Sequence, residues 1–458
     1  MMLSIMPDNT PTIGRRHFLK VSLAATSITT LGFPDLIPAR ALAAAGRVGA
    51  NEKLTLGHIG VGGQGGSHLN YIAQRRDRGD VNLAAVCDVD EKRLTKAQQR
   101  AGAGATPYRD YRYLLERKDI DAVVIATPDH WHAVQTVHAA QCGKHVYVEK
   151  PACCTIEEGK AMVQAGQANK VCIQVGSQGR SQPECYKAHR FIANGQIGKI
   201  SRVECWHYAS PADNNPVPDR EPPPELDWDL WLGPLPWRPY NPRYCPGSFR
   251  WMMESGGGQI RDRGAHVMSN ALWIMNADQR GPVSIEAKGT LPTKGAWDTA
   301  MTMEVVYQFK NPDWTLVWAQ PGQPVPYFDA ERKKALGIRD SYGAVYHGDK
   351  DNLTLWVGDG QVFTEPKALE WKPGPGALDV HKSPNHDHHQ DWLQAIKTGE
   401  KPVMHIEAGA AVAYLTILGN LSLLLGRKLN WDPVQQEIVG DEEAFRLMRR
   451  PQRYPYVL

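Results

Sequence analysis

The chain has 458 residues, more than one ordinary domain, and its length favours two or three. Its hydrophobic (42%) and charged (22%) fractions are those of a soluble globular protein with a sizeable core. The net charge is +3, of which residues 1–45 contribute two units, so the rest of the chain is nearly neutral. A nearly neutral chain is not expected to have a strongly basic surface, so we expect neither nucleic acid nor an anionic membrane as a partner.

The first 45 residues have the pattern of an export signal. Residues 15–20 (RRHFLK) resemble the twin-arginine signal, a mildly apolar region follows at 21–31, and an Ala-x-Ala cleavage pattern fits at 41–43. A membrane anchor is the alternative, but Pro34 and Asp35 end the segment short of the roughly 20 apolar residues that a span needs. We therefore expect a periplasmic or secreted protein without stable membrane insertion. Because twin-arginine export moves folded proteins, a cofactor acquired in the cytoplasm would have to be held tightly.

Residues 54–66 (LTLGHIGVGGQGG) predict a buried strand, a glycine-rich turn and the start of a helix. The spacing Gly60-x-Gly62-x-x-Gly65 is that of a dinucleotide pyrophosphate site, in which the glycines permit the tight turn, the approach of phosphate and close packing of helix on strand. The helix N-terminus offers N–H groups to the anion. Gly63 and Gln64 lie in the same turn and are candidate cofactor contacts. A glycine loop without a ligand is the alternative for the motif alone.

Asp88 ends the next predicted strand, residues 81–87. An acid at this position can accept hydrogen bonds from the adenosine ribose hydroxyls. It favours NAD, because the 2′-phosphate of NADP would meet its negative charge. Lys92 and Arg93, at the start of the following predicted helix (91–100), keep NADP open.

The alternation of strand and helix then continues. Apolar runs predict strands at 121–126, 145–149 and 171–175, with a helix at 132–141 and another that Thr155 can cap. Strands and helices that alternate at this length imply a parallel sheet. We therefore predict an α/β, doubly wound Rossmann domain over residues 52–177.

The pattern changes after residue 177. A Pro- and Trp-rich segment at 211–251 predicts a long functional loop. Around it we predict helices and short strands with turn residues between them, as in a largely antiparallel sheet: helices at 186–194, 387–398 and 406–425, and strands at 200–208, 283–289, 302–308, 315–318, 353–357 and 361–363. These elements form a predicted α+β domain over 178–430 with a large, mostly antiparallel open sheet, followed by an extended arm at 431–458.

The order of motifs resembles the glucose–fructose oxidoreductase / inositol dehydrogenase family (Gfo/Idh/MocA) over essentially the whole mature chain. The matching pieces are GVGGQG, Thr127-Pro128, Glu149-Lys150-Pro151, and a glycine triplet at 256–258 that leads to Asp262-x-x-x-His266. The tryptophan-rich WDLWLGPLPWRPYNP and the ending NWDP…GDEEA resemble a secreted branch of that family. Many members carry an acid three residues after the histidine, where this chain has Ser269.

The resemblance implies an NAD(P)-dependent oxidoreductase that acts on a secondary hydroxyl of a sugar, cyclitol or glycoside. In that case Lys150 donates a hydrogen bond to the reacting hydroxyl and stabilises developing alkoxide character. His266 is the implied base, since a histidine pKa lies near ambient pH, and Asp262 orients it. The four-residue spacing would place Asp262 and His266 on one face of a helix. From the residues alone, a helix-start aspartate beside a core histidine fits equally well.

The resemblance also implies further contacts. Thr127, Pro128, His132 and Glu149 join Lys150 and the glycine turn as cofactor-binding positions. Candidate substrate contacts are His130 after the Thr-Pro pair, His207 and Tyr208 at the end of a predicted strand, and Trp231 and Trp251, whose faces can stack on a sugar ring. The alternative for the tryptophans is that they attach the long loop to the body of the protein.

Other functions stay open. Some relatives are glycosidases that hold NAD, oxidise a ring hydroxyl transiently, eliminate the aglycone, add water and re-reduce. A non-catalytic sugar-binding protein is a third possibility. A metal is not expected at His386, Asp387, His388 and His389, because adjacent histidines on a helix point in different directions. Relatives commonly associate through the open sheet of the second domain, so we expect a homo-oligomer with a small-molecule carbohydrate as substrate.

Overall fold

A six-stranded parallel sheet carries the first part of the chain in the computed structural model, which describes residues 53–321, 342–358 and 361–458. The predicted export signal at residues 1–45 lies outside the described residues. The strands of this sheet are β1 (Leu54–Ile59), β2 (Val81–Cys87), β3 (Thr106–Tyr108), β4 (Ala122–Ile125), β5 (His145–Glu149) and β6 (Ile173–Gly176). The helices among them are α1 (Gly63–Arg78), α2 (Glu91–Ala101), α3 (Tyr111–Leu115), α4 (Asp129–Gln141) and α5 (Ile156–Asn169).

The strand order is β3-β2-β1-β4-β5-β6. The chain adds strands on one side of β1 as far as β3 and then on the other side from β4 onward, so the topological switch point lies between β1 and β4. In doubly wound sheets a ligand binds outside the carboxyl ends of the strands at such a switch point. β4 is buried along its whole length, as expected of a strand covered on both faces. Thr155 caps α5 as predicted, in a reciprocal pair of hydrogen bonds with Glu158.

A second sheet has nine strands in the order β13-β12-β11-β7-β10-β9-β8-β14-β15. Only β7 and β10 pair in parallel, and the other neighbours are antiparallel. Its strands are β7 (Ile200–Trp206), β8 (Ser284–Thr290), β9 (Thr302–Phe309), β10 (Trp314–Gln320), β11 (Tyr342–Gly348), β12 (Asn352–Gly358), β13 (Gln361–Thr364), β14 (Leu429–Asp432) and β15 (Glu437–Val439). The predicted fold class, a Rossmann sheet followed by a mostly antiparallel sheet, is confirmed.

The remaining helices lie before, between and after these strands. They are α6 (Pro183–Ala193), α7 (Trp228–Leu232), α8 (Gln259–Asp262), α9 (Gly264–Ile274), α10 (Pro366–Glu370), α11 (His388–Thr398), α12 (Ile406–Leu425) and α13 (Glu442–Arg446). Among the described helices, α12 is the one that is long and apolar enough to cross a membrane by length and composition. Most of it is buried against α5, α9 and β8, as a core helix is.

The long Pro- and Trp-rich segment is held by an apolar cluster of its own. Trp228 stacks on Trp231 with ring centroids 4.8 Å apart, and Tyr240 packs edge-on against Trp228. Trp131 on α4 donates from its indole nitrogen to the carbonyl of Trp231 at 3.1 Å. The loop is thereby attached to the first sheet's helical layer, close to the carboxyl ends of the strands.

Two predictions about this half of the chain were wrong in detail. Strand β11 was not predicted, because its sequence YGAVYHG lacks a clear alternation and becomes a strand by pairing with β7 and β12 on its two sides. The predicted extended arm at 431–458 instead begins within a hairpin, β14–β15, whose first strand pairs with β8 at the edge of the sheet. Short strands of this kind are specified by tertiary pairing more than by local propensity.

Candidate functional site

A cavity of about 1040 Å³ opens at the carboxyl ends of the parallel strands. Its walls combine the glycine turn after β1, the residues that follow β2, β4 and β5, the tryptophan-rich loop, and the junction of α8 with α9. Tyr342 on β11 closes it from the second sheet. The cavity therefore lies where both halves of the described chain contribute side chains.

The glycine turn at one end of this cavity is shaped by close backbone contacts. A Cβ on Gly60 would lie 2.7 Å from the carbonyl of Ala126, and the φ of Gly60 is +82°. A Cβ on Gly65 would lie 2.0 Å from the carbonyl oxygen of Gly60. Gly63, by contrast, has open space where a side chain would point. These contacts fit a tight turn that brings the N-terminus of α1 close to the end of β1, which is the geometry of a dinucleotide phosphate site.

Asp88 lies beside this turn, and its carboxylate accepts hydrogen bonds from the backbone N–H groups of Val61 and Asp90, each at 2.9 Å. Burial raises the pKa of Asp88, against the effect of these two hydrogen bonds. Arg93 lies over the turn, with its guanidinium nitrogen 2.5 Å from where a Cβ on Gly62 would be. Lys92 points elsewhere and pairs with Glu225. Of the two bases that kept NADP open, only Arg93 lines the cavity.

At the other end of the cavity, Lys150 and Asp262 form an ion pair. The ammonium nitrogen of Lys150 is 2.6 Å from Oδ1 of Asp262 and also donates to its backbone carbonyl at 3.1 Å. The guanidinium groups of Arg250 and Arg263 each approach the same carboxylate at 3.5 Å. Burial would raise the pKa of Asp262, but these three cations hold it well below its usual range. The carboxylate therefore stays ionised and fixes the position of the Lys150 ammonium.

His266 lines the same cavity as Lys150. Burial, and secondarily the charge of Lys150, lower the pKa of His266 to about 3. The ring is therefore neutral at ambient pH and can accept a proton. The sequence argument that its pKa lies near ambient pH does not hold in this environment.

The predicted relation of Asp262 to His266 is also corrected. The two residues do not lie on one continuous helix, because α8 ends at Asp262 and α9 begins at Gly264 after an interruption at Arg263. The N–H of His266 bonds to the carbonyl of Arg263, a tighter turn than an α-helix makes. Within the described residues, the Asp262 carboxylate bonds to Lys150, and no hydrogen bond joins it to the His266 ring. Asp262 thus orients the lysine.

Most of the other predicted positions also line the cavity. These are Gly62, Gly63, Gln64, Thr127, Pro128, His132, Glu149, His207, Tyr208, Trp231 and Trp251. Gly65 lies beneath the turn. His132 is held with its two ring nitrogens at 2.8 and 2.9 Å from the carbonyl oxygens of Pro151 and Thr127, so it braces the backbone between β4 and β5. Burial lowers the pKa of His207 to about 4, and its ring packs against Tyr208.

The prediction that His130 contacts substrate needs correction. His130 is fully buried and is not part of the cavity wall. Its Nε2 lies 3.0 Å from the carbonyl of Trp231, and its ring packs edge-on against Trp231 and Phe249. It packs α4 against the tryptophan-rich loop because α4 begins at Asp129 and turns this side chain inward.

Sequence reasoning missed several residues of the cavity wall. Asp129, Gln178, Arg250, Arg263 and Tyr342 all line it. Gln178 follows β6 and could have been found from its place after a strand of the parallel sheet. Arg250 and Tyr342 carry no local signal, because they reach the cavity only through the course of the long loop and the pairing of β11.

Ser269 and the histidine cluster have roles outside the cavity. Ser269 accepts a hydrogen bond from Nε of buried Arg180 at 2.8 Å, and Asp278 neutralises that arginine. In the histidine cluster, Asp387 caps α11, and the rings of His388 and His389 bond to different partners. Within the described residues, no group of three or more His, Cys, Asp or Glu side chains is arranged to hold a metal ion.

Replacing Asp262 by asparagine should leave the Lys150 ammonium without its counter-charge and free to move. We expect kcat to fall about 100-fold, the effect of a displacement of order 1 Å at a reacting centre. Binding of NAD(H), which depends mainly on the glycine turn and Asp88, should change little. Steady-state kinetics and calorimetry on the same preparations measure the two. The matched control is Glu157→Gln, which removes the partner of Lys160 on α5; an equal loss of kcat in both variants would contradict the assignment.

Comparisons with known proteins cover both halves of the chain. Residues 54–177 match the family model for the "Oxidoreductase family, NAD-binding Rossmann fold" (Gfo/Idh/MocA). Residues 197–313 and 370–458 match the model for the C-terminal alpha/beta domain of the same family. The two models together account for most of the chain.

Similar proteins include a "Glycosyl hydrolase family 109 protein 1" from a Shewanella species, 34% identical over 42% of this chain and 45% of that protein. Another is "Inositol 2-dehydrogenase" from Salmonella typhimurium, 31% identical over 34% of this chain and 46% of that protein. The chain spans about half the length of the curated relatives it matches.

Solved structures share the fold. The WlbA dehydrogenase from Bordetella pertussis, in complex with NADH and UDP-GlcNAcA, has a TM-score of 0.59 at 19% identity, covering 83% of this chain and 99% of that one. Levoglucosan dehydrogenase, in complex with NADH and L-sorbose, has a TM-score of 0.56 at 20% identity, covering 82% and 98%. At these identities the likeness establishes the architecture.

Proposed function

The chain belongs to the Gfo/Idh/MocA family of NAD-binding oxidoreductases, and from that premise we propose that it transfers hydride between NAD and a secondary hydroxyl of a sugar, cyclitol or glycoside. The observation that carries the proposal is the Lys150–Asp262 ion pair, which lies with neutral His266 in the cavity onto which the glycine turn opens. An ammonium fixed by a carboxylate beside a neutral histidine is the arrangement that removal of a hydroxyl proton requires, which favours catalysis over sugar binding alone.

The residues of the chain divide the work between the two ends of the cavity. The glycine turn and Asp88 hold the dinucleotide, which supplies the hydride acceptor when bound. Lys150 is oriented by Asp262 and donates a hydrogen bond to the substrate oxygen, where its charge stabilises the developing alkoxide. His266 is neutral and takes up the hydroxyl proton. The aromatic wall of Trp231, Trp251 and Tyr208 excludes water and offers apolar faces to a sugar ring.

His266→Gln tests the base. We expect kcat to fall about 100-fold, as for the loss of a general base. Because the pKa of His266 is lowered to about 3, the ring is deprotonated at every pH above that value. The wild-type kcat/KM should therefore not decline through protonation of this group until the pH falls below about 5. A pH–rate profile with an acidic limb near 6.5 that disappears in the variant would show that the pKa is not depressed in the working enzyme.

A redox-cycling glycosidase is the second candidate, and its specific support is the similarity to glycosyl hydrolase family 109 proteins. In that reaction a ring hydroxyl is oxidised, a proton next to the new carbonyl is removed, and the aglycone leaves. Water then adds, and the hydride returns, so no NAD is consumed. Glycoside cleavage without added NAD, with solvent deuterium incorporated next to the oxidised carbon, distinguishes this reaction from net dehydrogenation.

The experiment that tests the proposed function is to denature the purified protein and identify the released nucleotide and its redox state. We expect NAD(H), tightly bound, because a protein exported in the folded state must carry its cofactor. Protein that neither contains nor binds NAD(H) or NADP(H) by absorbance and calorimetry would overturn the proposal.

Two further proposals concern the context in which the enzyme acts. Export through the twin-arginine signal at residues 15–20 is tested by fractionation with Arg15 and Arg16 replaced by lysine. Homo-oligomerisation through the nine-stranded sheet, the face that relatives use, is tested by light scattering. A monomer, or a protein retained in the cytoplasm, would refute the respective proposal.

A further inference from the structure

Behind the Lys150 end of the cavity, three side chains form a hydrogen-bonded line that the mechanism above does not use. Oε1 of Glu149, which lines the cavity, is 2.7 Å from Nε2 of His68 on α1. Nδ1 of the same ring is 2.9 Å from Nε2 of His389 on α11. Glu149 and His68 are almost completely buried, whereas His389 keeps 9% of its surface exposed. The line therefore runs from the cavity wall to a side chain just beneath the protein surface.

The chemistry of Glu149 fixes the direction of its hydrogen bond to His68. Burial would raise the pKa of Glu149, but the hydrogen bond and charge of His68, together with Lys150, bring it down to about 2. An ionised carboxylate only accepts, so Nε2 of His68 carries the hydrogen. Between Nδ1 of His68 and Nε2 of His389 the donor depends on the protonation of His68: a neutral His68 accepts from Nε2–H of His389, and a charged His68 donates to it. The hydrogen bond to Glu149 has its donor on His68 in both cases.

The surroundings of His389 disfavour its charged form, so a proton that it takes up is readily released. Its ring lies between those of Tyr71 and Tyr147, nearly parallel to each, with centroids 4.4 and 4.6 Å away. Burial, followed by the neighbouring histidines, lowers the pKa of His389 well below its ordinary value. Titratable and charged groups face the line from each element packed against it. They are His58 on β1, Tyr71 and Arg75 on α1, Tyr147 on β5, Lys150 after β5, His266 on α9, and Asp387 and His388 at the start of α11.

The other neighbours either bond among themselves or cannot carry a proton onward: Gln64 lies 3.4 Å from Nε2 of His68 and Gln178 donates to Glu149 at 2.8 Å, but an amide does not relay a proton. Tyr71 donates to Asp387, and Arg75 donates to Tyr71. His388 is engaged by Ser181 and by the carbonyl of Val175. His58 is fully buried, and neither of its ring nitrogens has a hydrogen-bond partner.

We propose that His389, His68 and Glu149 form a relay that carries a proton between solvent and the Lys150 end of the cavity. The inference rests on the proposed function, because oxidation of a secondary hydroxyl sends the C–H electron pair to the nicotinamide and releases the O–H proton. Reduction of the resulting ketone takes up one hydride and one proton. A proton that arrives at Nδ1 of His389 releases Nε2–H to His68, and His68 releases its own Nε2–H to Glu149 in the cavity wall. Glu149 then passes this proton into the cavity, where the oxygen that gains a negative charge on hydride return takes it up, and the carboxylate is ionised again. When His68 is neutral, the line is ready for this uptake, the step that re-reduction needs.

His68 and His389 act through Glu149 and are positioning residues. The variants must therefore distinguish proton transfer through His389 from its structural role in holding the His68 ring in place. His389→Gln can still donate to His68 but does not carry a proton onward, and His389→Phe keeps the aromatic packing without the hydrogen bond. We expect both to lower kcat roughly tenfold or more, with little change in KM and with a larger solvent deuterium effect. In His389→Ala, added imidazole should restore part of kcat. The control is His381→Gln, which loses a histidine–carboxylate pair with Asp391 that is not part of this line.

A readout without cofactor or turnover completes the test. In protein labelled with 15N-histidine, we expect one ring in the resting state to be protonated on Nε2 and unprotonated on Nδ1, and to shift in Glu149→Gln but not in His381→Gln. Wild-type turnover together with unchanged kcat and isotope effect in both His389→Gln and His389→Phe would overturn the relay and leave the proposed function intact. A retained kcat in His389→Gln with a loss in His389→Phe would also overturn the relay, because a hydrogen bond to His68 without proton transfer would then be enough for activity. Failure of the wild type to bind any nicotinamide dinucleotide would overturn both.

Discussion

Replacing Lys150 by methionine is expected to lower kcat about 1000-fold while the affinity for NAD(H) stays nearly unchanged. Methionine keeps most of the length and apolar volume of the side chain but cannot donate to the substrate oxygen. The group lost is a charge held in a water-poor cavity, where one donor to a developing oxyanion contributes about 3–4 kcal/mol. Rapid-mixing kinetics of NADH formation and calorimetry with NAD(H) measure the two quantities.

The same substitution separates catalysis from stability. It leaves the buried Asp262 carboxylate with only Arg250 and Arg263 nearby, so unfolding should require about 2 kcal/mol less free energy than in the wild type. The double variant Lys150→Met/Asp262→Asn removes both charges and should recover that stability without recovering kcat. Lys160→Met, which breaks a partly buried ion pair on α5, is the control and should keep full activity. If Lys150→Met retains more than about a tenth of wild-type kcat, the ammonium does not stabilise the reacting oxygen.

Glu149 and Lys150 are neighbours in sequence but have different proposed roles. Lys150 pairs with Asp262 at the substrate oxygen, and Glu149 belongs to the proposed proton relay. At the end of β5, Glu149 turns toward His68 and Gln178, and Lys150 turns toward Asp262. The two charged groups thus bond to different elements from the same strand end. The proposed reaction needs a fixed cation at the oxygen and a route for the proton, and in our proposal these adjacent residues supply them.

The first sheet was predictable because its strands are buried on both faces. Continuous apolar runs placed β2 and β5 with the bounds that the structure shows, and the glycine spacing located the turn after β1. Because the carboxyl ends of the strands in such a sheet lie along one edge, the sequence alone predicts that Asp88, Thr127 and Lys150 lie near one another.

The rest of the site depends on long-range contacts that leave no local trace. The partner of Asp262 is 112 residues away in sequence, and four residues of spacing suggested the wrong one. His130 was expected at the substrate because it follows Thr127-Pro128, yet a helix that starts three residues earlier than predicted turns it into the protein. The relay joins positions 68, 149 and 389, and no spacing in the sequence indicates that these residues meet.

Replacing Gly65 by alanine is expected to weaken NAD(H) binding about 10- to 100-fold, without any change in a residue that touches the substrate. The new Cβ would lie 2.0 Å from the carbonyl oxygen of Gly60 and 2.9 Å from its carbon, and both are backbone atoms that no rotamer change can move. The turn would have to open, and overpacking of this kind costs about 1–3 kcal/mol, which is enough to account for that loss of affinity if it falls on the bound state.

The adjacent glycine provides the matched control for this prediction. A Cβ on Gly66 would lie 3.5 Å from the carbonyl oxygen of Val61, an ordinary contact, inside helix α1. Gly66→Ala should therefore bind NAD(H) as the wild type does and unfold at a slightly higher temperature, because alanine is the better helix former. Calorimetric titration and thermal unfolding with and without NAD distinguish the two variants. Equal affinities in Gly65→Ala and Gly66→Ala would mean that the dinucleotide does not bind on this turn, and the proposed function would lose its cofactor site.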